Sequence, residues 1–256
     1  MSQSELTITL NNQYEEVERL AHVVEDFCTR NHVSEEMIYP LNVVLDEVVT
    51  NIIKYAWDDR SRHTLRADLK IQNHVFVAMV EDDGRPFNPI EVEDIDVTTS
   101  IEERQIGGLG LHFVKALMDT LEYKRSNQKN KLILKKKLTA EGERMDVDQE
   151  KAGEVFVFDV SGRVDAATCK NIEVELLGAI DEGRNRILAD CSELDYISSA
   201  GLRIFLLAAK KLKASNGKMV LCSLQPQIKT MFEISGFSTA FPIVESRDDG
   251  MKMLNA

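Results

Sequence analysis

The sequence contains no apolar run close to the roughly 20 residues that are needed to span a bilayer. Its first ten residues, MSQSELTITL, include neither a basic region nor an apolar core, so we expect no secretory signal. The absence of both features predicts a cytoplasmic protein that does not use a membrane as a partner.

Cysteine and histidine are few and scattered. The four cysteines form no CxxC pair, and the five histidines show no spacing typical of metal ligands. This pattern predicts buried, reduced thiols and argues against a zinc site. The thiols belong to Cys28, Cys169, Cys191 and Cys222.

Positive charge is also in deficit, with 31 Lys and Arg against 43 Asp and Glu and a formal net charge of -12. Nucleic-acid backbones attract clustered Lys and Arg, so we expect no nucleic-acid partner. A hydrophobic content of 43% and a length of 256 residues suit a globular protein of two ordinary domains.

Hydrophobic periodicity in the first half predicts a mixed α/β segment. Glu91–Glu103 is acidic, has little apolar periodicity and is expected to form a mobile loop. The predicted elements are a strand at 6–10, helices at 17–28 and 34–56, strands at 65–71 and 75–81, a helix at 109–119, and closing strands at 121–125 and 131–138.

The polar segment Thr139–Arg144 has the composition of a linker, and a second α/β pattern begins after it. We therefore expect a first domain at 1–138, a linker at 139–145 and a second domain at 146–256. The elements predicted for the second domain are strands at 155–160, 187–190, 219–222 and 241–244, and helices from 165 or 166, at 200–213, at 226–234 and after a capping Ser246.

The second predicted helix carries Glu47, Asn51 and Lys54 at i, i+4 and i+7, which places them on one stripe. A carboxylate, an amide and an ammonium there suit a magnesium-phosphate site. On this stripe alone, a solvated polar face with a Glu–Lys contact is the better explanation of the spacing.

Two glycine motifs follow. A strand runs into Asp82-Asp83-Gly84, where the acid can accept a hydrogen bond from an exocyclic amine, although plain Asp-Gly turns are common. Further on, Gly108 and Gly110 open a helix, where backbone N–H groups can approach phosphate oxygens. The motif is neither a Walker A loop nor a dinucleotide turn, and a flexible loop end is the alternative.

In this order, the segments LDEVVTNIIKYAW, VEDDGRPFNP and GGLGLHFVKALMD resemble the N-box and the two glycine boxes of the GHKL ATPase superfamily. That superfamily includes histidine kinases, gyrase-type ATPases and anti-sigma serine kinases, and the resemblance covers roughly residues 5–138. The anti-sigma serine kinases are the most similar. The resemblance implies a Bergerat-type ATP-binding α/β sandwich with ATP and Mg²⁺ as cofactors.

The resemblance also implies roles for single residues. Glu47 would be the general base. The anti-sigma kinases usually have a histidine just after this motif, where this chain has Lys54-Tyr55, and Lys54 would take over a phosphate contact. A histidine kinase proper is not expected, because no dimerisation helix with a phosphoacceptor histidine is present. His22 is not followed directly by an acidic residue and is expected to be an ordinary surface or core histidine. The remaining implied roles are Mg²⁺ binding by Asn51, adenine recognition by Asp82, close approach of Gly84 to the base, and a phosphate cradle at Gly108 and Gly110.

In the second half, a strand leads through Ser198 and Ser199 into a helix. The chemistry fits helix capping and phosphorylation equally well. ISSAGL, VSGRVDAAT and ISGF resemble the STAS domains of anti-sigma-factor antagonists over roughly residues 146–254. The resemblance implies a STAS-type α/β fold with Ser199 as phosphoacceptor and Ser198 as the alternative.

Together the two resemblances imply a partner-switching regulator, in which an ATP-dependent serine kinase phosphorylates a STAS serine on its own chain or on a partner. Expected partners are a sigma factor or a STAS antagonist, with a PP2C-type phosphatase in the circuit and homodimerisation. The alternative is a binding module that holds nucleotide without turnover and sequesters a sigma factor or a STAS protein.

Overall fold

A computed structural model describes residues 4–59, 61–94, 108–138, 155–166, 168–237 and 240–255. These residues divide into two compact units, one formed by 4–94 with 108–138 and the other by 155–255. The predicted linker at 139–145, the start of the second domain at 146 and most of the predicted acidic loop lie outside the described residues.

The first unit combines three helices with a five-stranded antiparallel sheet. The strand order is β1-β2-β3-β5-β4. The elements are β1 (Ser4–Asn11), α1 (Glu15–Arg30), α2 (Glu35–Tyr55), β2 (Thr64–Gln72), β3 (Val75–Asp82), α3 (Leu109–Leu117), β4 (Thr120–Ser126) and β5 (Lys129–Lys137).

Strict alternation buries one face of this sheet. On β3, Phe76, Ala78 and Val80 are at most 1% exposed, and the residues between them are half-buried. The buried face meets the apolar sides of α1 and α2, which supply Leu20, Val24, Val44 and Val49 to the core. The first unit is therefore a two-layer α/β sandwich, as predicted.

The second unit is a parallel four-stranded sheet with the order β6-β7-β8-β9 and four helices. Its core includes Leu188, Val220, Cys222, Met251 and Leu254. The elements are β6 (Phe156–Val164), α4 (Cys169–Asp181), β7 (Arg186–Ile197), α5 (Ser199–Ala214), β8 (Lys218–Cys222), α6 (Pro226–Ile234), β9 (Ile243–Val244) and α7 (Arg247–Asn255).

Several predicted boundaries in the second unit were wrong. Strand β7 continues to Ile197 instead of ending at Asp190, because its second half pairs with β6, which itself extends to Val164 instead of ending at Val160. The pairing is irregular, with register shifts at Asp159/Ser161 and at Gly162/Arg163. Helix α4 accordingly begins at Cys169, later than predicted.

Two further boundaries differ. Helix α3 ends at Leu117 instead of Asp119, and β9 is reduced to Ile243–Val244. Ser34 lies at the N-cap of α2, as predicted, but its side chain makes no capping hydrogen bond there. Within the described residues, no helix is both long enough and apolar enough to cross a membrane.

Candidate functional site

Helix α2 carries the predicted polar stripe from the core to the surface. Glu47 is only 5% exposed, Asn51 is half-buried, and Lys54 is exposed with its Nζ 5.1 Å from the centre of the Tyr55 ring. A buried carboxylate is unusual unless it is paired or functional. The stripe is therefore more than a solvated face.

The carboxylate of Glu47 lies against the first turn of α3. A Cβ added to Gly110 would meet Glu47 Oε2 at 2.0 Å and Cδ at 2.8 Å. Only glycine leaves room for this contact. The structure thus brings together two of the predicted site residues from different helices.

Gly108 ends the approach to α3. It is the N-cap residue and adopts the left-handed conformation, with φ 82° and ψ -13°. Such a turn into a helix presents free backbone N–H groups, which is the arrangement that binds phosphate oxygens. Its neighbour Gly107, part of the same sequence motif, lies outside the described residues.

Asp82 ends β3 on the buried face and is 6% exposed. Its Oδ1 accepts hydrogen bonds from the Gly84 backbone N–H and from Asn130 Nδ2, both at 2.8 Å. Burial raises the pKa of this carboxyl above its usual range, and the two hydrogen bonds and the charge of Arg125 oppose that shift. Asp82 is therefore a fixed acceptor in a water-poor setting.

The turn after Asp82 packs on the carboxyl end of α2. A Cβ on Gly84 would meet Ala56 Cβ at 2.5 Å, and Arg85 N donates to Ala56 O at 2.9 Å. Trp57 Nε1 donates to Asp83 Oδ1 at 3.0 Å. Glu47 and the Asp82 turn are thus both anchored on one helix.

Sequence reasoning missed the contribution of β5. Asn130 is 6% exposed and bonds Asp82, Arg85 O and the side chains of Tyr123 and Arg125. The signal that could have found it is an asparagine at an inward position of the alternating strand KNKLILKKK.

The chemistry of this group fits a purine nucleotide. Asp82 offers an acceptor for an exocyclic amine beside a glycine without side-chain bulk, and Gly108 offers backbone donors for phosphate. An amide oxygen such as that of Asn51 is a ligand suited to Mg²⁺, and the nearby Glu47 carboxylate can accept a proton. An added Cβ would meet Ala56 at Gly84 and Glu47 at Gly110, so both glycines are needed for the packing that brings these groups together.

In the second unit, the two serines occupy different environments. Ser198 is the N-cap of α5, is 2% exposed and accepts a hydrogen bond from Gly201 N at 3.5 Å. Ser199 is the first residue of α5 and is partly exposed. Burial and capping thus occupy Ser198, while Ser199 is the more accessible hydroxyl.

The last residue of β6 supports the serines. Ser198 N donates to Val164 O at 2.9 Å, and a Cβ on Gly201 would meet Val164 Cγ1 at 2.7 Å. Asp165 is 6% exposed, and its Oδ1 accepts from Thr168 N at 3.2 Å. The start of α5 is therefore held against the end of β6, and the loop that follows β6 is stabilised by its own hydrogen bonds.

Comparison with known proteins assigns each unit to a family. Residues 10–136 match the histidine kinase-like ATPase domain, and residues 146–250 match the STAS domain. The chain is 41% identical over 104 residues to BtrV of Bordetella bronchiseptica, which is named as an anti-sigma factor antagonist. That similarity covers 41% of this chain and 90% of the relative.

Serine-protein kinases are among the relatives of this chain. The serine-protein kinase RsbW of Oceanobacillus iheyensis is 28% identical over 153 residues, which cover 57% of this chain and 92% of the relative. The serine/threonine-protein kinase BtrW of Bordetella bronchiseptica is 23% identical over 130 residues, covering 51% of this chain and 89% of the relative.

Each relative corresponds to about one half of this chain, and the two halves match different proteins. The predicted fold class is confirmed, with an ATP-binding domain of the histidine kinase-like type in the first half. The chain therefore belongs to the family of STAS-domain anti-sigma factor antagonists through its second half, which is joined to a histidine kinase-like ATPase domain.

Proposed function

We propose that this protein is a partner-switching regulator whose first unit is an Mg·ATP-dependent protein-serine kinase and whose second unit is a phosphorylatable STAS domain. The contact between the buried Glu47 carboxylate and Gly110 is the observation that carries the proposal, because a carboxylate against the first turn of α3 suits a base that acts beside bound phosphate. The names of the kinase relatives support the same activity.

The nucleotide would be held at both ends. Asp82 would accept a hydrogen bond from the exocyclic amine of adenine, Gly84 would approach the base, and Gly108 and Gly110 would present N–H groups to the phosphates. Asn51 would ligate Mg²⁺, and Lys54, exposed at the end of the stripe, would neutralise phosphate charge.

Phosphoryl transfer needs a deprotonated serine hydroxyl close to the γ-phosphorus. Glu47 would take the proton from the serine Oγ as the new O–P bond forms and the bond between the β,γ-bridging oxygen and the γ-phosphorus breaks, which releases ADP. Such a general base contributes about 10²- to 10⁴-fold to the rate. Positioning by the helices would supply much of the remainder.

We propose Ser199 as the acceptor in the second unit. Its partial exposure at the start of α5 supports access, whereas Ser198 is buried and caps the helix. A phosphate at Ser199 would be stabilised by the amino end of α5 and would add nearly two negative charges to that surface. Such a charge changes docking without requiring the domain to unfold.

The partners proposed for this circuit are a sigma factor and STAS-domain proteins, as the names of the relatives suggest. A PP2C-type phosphatase would reverse the modification, the kinase unit would form a homodimer, and the circuit would operate in the cytoplasm. The relatives' names support only the sigma-factor and antagonist part of this scheme.

Intact mass spectrometry after incubation with Mg·ATP tests the function. We expect the wild type to gain one phosphate on its own chain or to transfer one to an added STAS protein. Glu47→Gln should slow this gain at least about 100-fold. Asp46→Asn removes the adjacent buried carboxylate of α2 and is the matched control, which should stay within a few-fold of wild type.

The acceptor is tested in the same assay. Ser199→Ala should abolish the gain on the STAS unit, whereas phosphate that persists in Ser199→Ala and disappears in Ser198→Ala would move the acceptor by one residue. Binding of nucleotide with no phosphate gained by any STAS serine would overturn the kinase proposal and leave a binding module that sequesters its partner.

A further inference from the structure

A buried hydrogen-bond network lies behind Asp82 and links it to strand β4. Asn130 Nδ2 donates to Asp82 Oδ1 at 2.8 Å and to Arg85 O at 3.0 Å. Asn130 Oδ1 accepts from Tyr123 Oη at 2.8 Å and from Arg125 Nη1 at 2.7 Å. All hydrogen-bonding atoms of this amide are thereby used.

The two donors fix the orientation of the Asn130 amide. Arg125 can only donate, so the atom facing it must be the amide oxygen. The NH₂ group is consequently directed to Asp82, where it meets an acceptor. A reversed amide would place donor against donor at Arg125 and acceptor against acceptor at Asp82.

Arg125 also reaches the turn itself, because its Nη1 lies 3.0 Å from Gly84 O. Gly84 N and Asn130 Nδ2 both donate to Asp82 Oδ1. Among the described residues, every hydrogen bond to the Asp82 carboxylate is accepted by Oδ1. Oδ2 is therefore left to accept a hydrogen bond from the amine of a ligand. Arg125 therefore supports Gly84 directly and Asp82 through Asn130.

We propose that Arg125 is a positioning residue that, through Asn130, makes the site selective for purines carrying an exocyclic amine. The inference rests on the proposed nucleotide binding at Asp82 and adds the residue that sets its selectivity. Arg125 touches neither the nucleotide nor the reacting atoms in this scheme.

The charge of Arg125 acts in the same direction as its geometry. Burial raises the pKa of Asp82, whereas the Asn130 hydrogen bond and the Arg125 charge hold it down. Without these partners, Asp82 would more readily keep its proton and offer a donor where an acceptor is needed. An amine would then gain nothing over a hydrogen at that position of the purine.

Titration calorimetry with two Mg²⁺-bound diphosphates tests the inference without turnover. ADP and purine riboside 5′-diphosphate differ only in the exocyclic amine. We expect the wild type to prefer ADP by about 10- to 100-fold, the range for a hydrogen bond to a charged group. In Arg125→Met, the preference should fall below about threefold, entirely through weaker ADP binding.

Two variants on the same strand sharpen the comparison. Lys124→Met removes a positive charge from the exposed face of β4 and should keep the wild-type preference. Tyr123→Phe removes one of the two donors to Asn130 and should lower the preference less than Arg125→Met does.

The outcomes separate the inference from the function it rests on. If Arg125→Met weakens both diphosphates equally, or keeps the full preference for ADP, Arg125 is not a positioning residue and the inference is overturned. If the wild type binds neither diphosphate, the proposed nucleotide site itself fails and the inference fails with it.

Discussion

Glu47 on α2 and Gly110 on α3 are in contact so close that a single methyl group at position 110 would lie 2.0 Å from the Glu47 carboxylate oxygen. The atom in the way is the end of a flexible side chain, so a larger residue would displace the carboxylate more easily than the helices. A substitution at position 110 is therefore expected to affect the proposed catalytic role of Glu47 much more than the stability of the fold.

Gly110→Ala should reduce phosphoryl transfer by about 100-fold or more, because the displaced Glu47 no longer serves as base. The free energy of unfolding should change by less than about 1 kcal/mol, since the side chain absorbs the strain. Phosphate incorporation and thermal unfolding measure the two effects. A large loss of stability with unchanged transfer would contradict the assignment of Glu47.

Two helical glycines of the second unit should respond in opposite ways to alanine. A Cβ on Gly201 would meet Val164 Cγ1 at 2.7 Å and Val164 O at 2.9 Å, whereas nothing lies within 4 Å of one on Gly178. Gly201→Ala should cost about 1–3 kcal/mol through overpacking. Gly178→Ala should stabilise by about 0.5–1 kcal/mol through helix propensity.

Urea unfolding followed by circular dichroism compares this pair, read on the transition of the second unit. Because both variants add one methyl group to a helix of the same unit, composition and length are matched. Equal shifts of the midpoint for the two variants would show that the packing of α5 against Val164 does not constrain position 201.

Ser198→Ala should lower the stability of the second unit by about 1 kcal/mol, because it removes the side-chain cap of α5 at a buried position. Restoration by Ser198→Asp or Ser198→Asn, both good N-cap residues, would identify capping as the cause. Thermal unfolding of the three variants measures the loss of stability and its restoration. An unchanged melting temperature in Ser198→Ala would show that the 3.5 Å contact to Gly201 N contributes nothing.

Affinity for ADP should fall as the pH is lowered through the raised pKa of Asp82, because protonation converts the acceptor for adenine into a donor. The loss should begin above the ordinary aspartate value of about 3.9. Arg125 opposes the shift and Asp83 adds to it, so both belong to the titrating environment. Calorimetric titrations across this pH range measure the effect.

The raised pKa of Asp82 has the opposite effect on the pH dependence of folding stability. A carboxyl whose pKa is raised in the native state binds its proton more tightly there than in the unfolded chain. The contribution of Asp82 to stability therefore decreases as the pH rises from the ordinary value through the raised one. Asp82→Asn should flatten both profiles, and an unaltered pH profile of ADP affinity in that variant would assign the titration to another group.

Sequence reasoning predicted the elements that depend on local pattern. The stripe on α2, the end of β3 and the glycines of α3 each lie within one element or one turn, and the structure places Glu47 beside Gly110 and Asp82 beside Gly84. Their chemical roles stay predictions. The fold class followed because strand alternation and helical periodicity are strong in both halves.

What the sequence did not show depends on pairing across distance. Asn130 meets Asp82 because β3 pairs with β5 in a register that joins residues 48 positions apart. In the second half of β7, Ser192, Glu193 and Asp195 interrupt the buried apolar residues, and this part of the strand pairs with β6. Neither pairing produces a pattern within ten consecutive residues. The contacts of Arg125 and the length of β7 are therefore visible only in the structure.

Helix α2 carries the Glu47 carboxylate in its middle and receives the Asp82–Gly84 turn at Ala56. Nine residues of helix correspond to about 14 Å along its axis. In the proposed scheme, the spacing between base recognition and phosphate chemistry is thus set by one continuous helix. A change that shortened or bent helix α2 would alter the distance that a bound nucleotide has to span, even if every contacting side chain were kept.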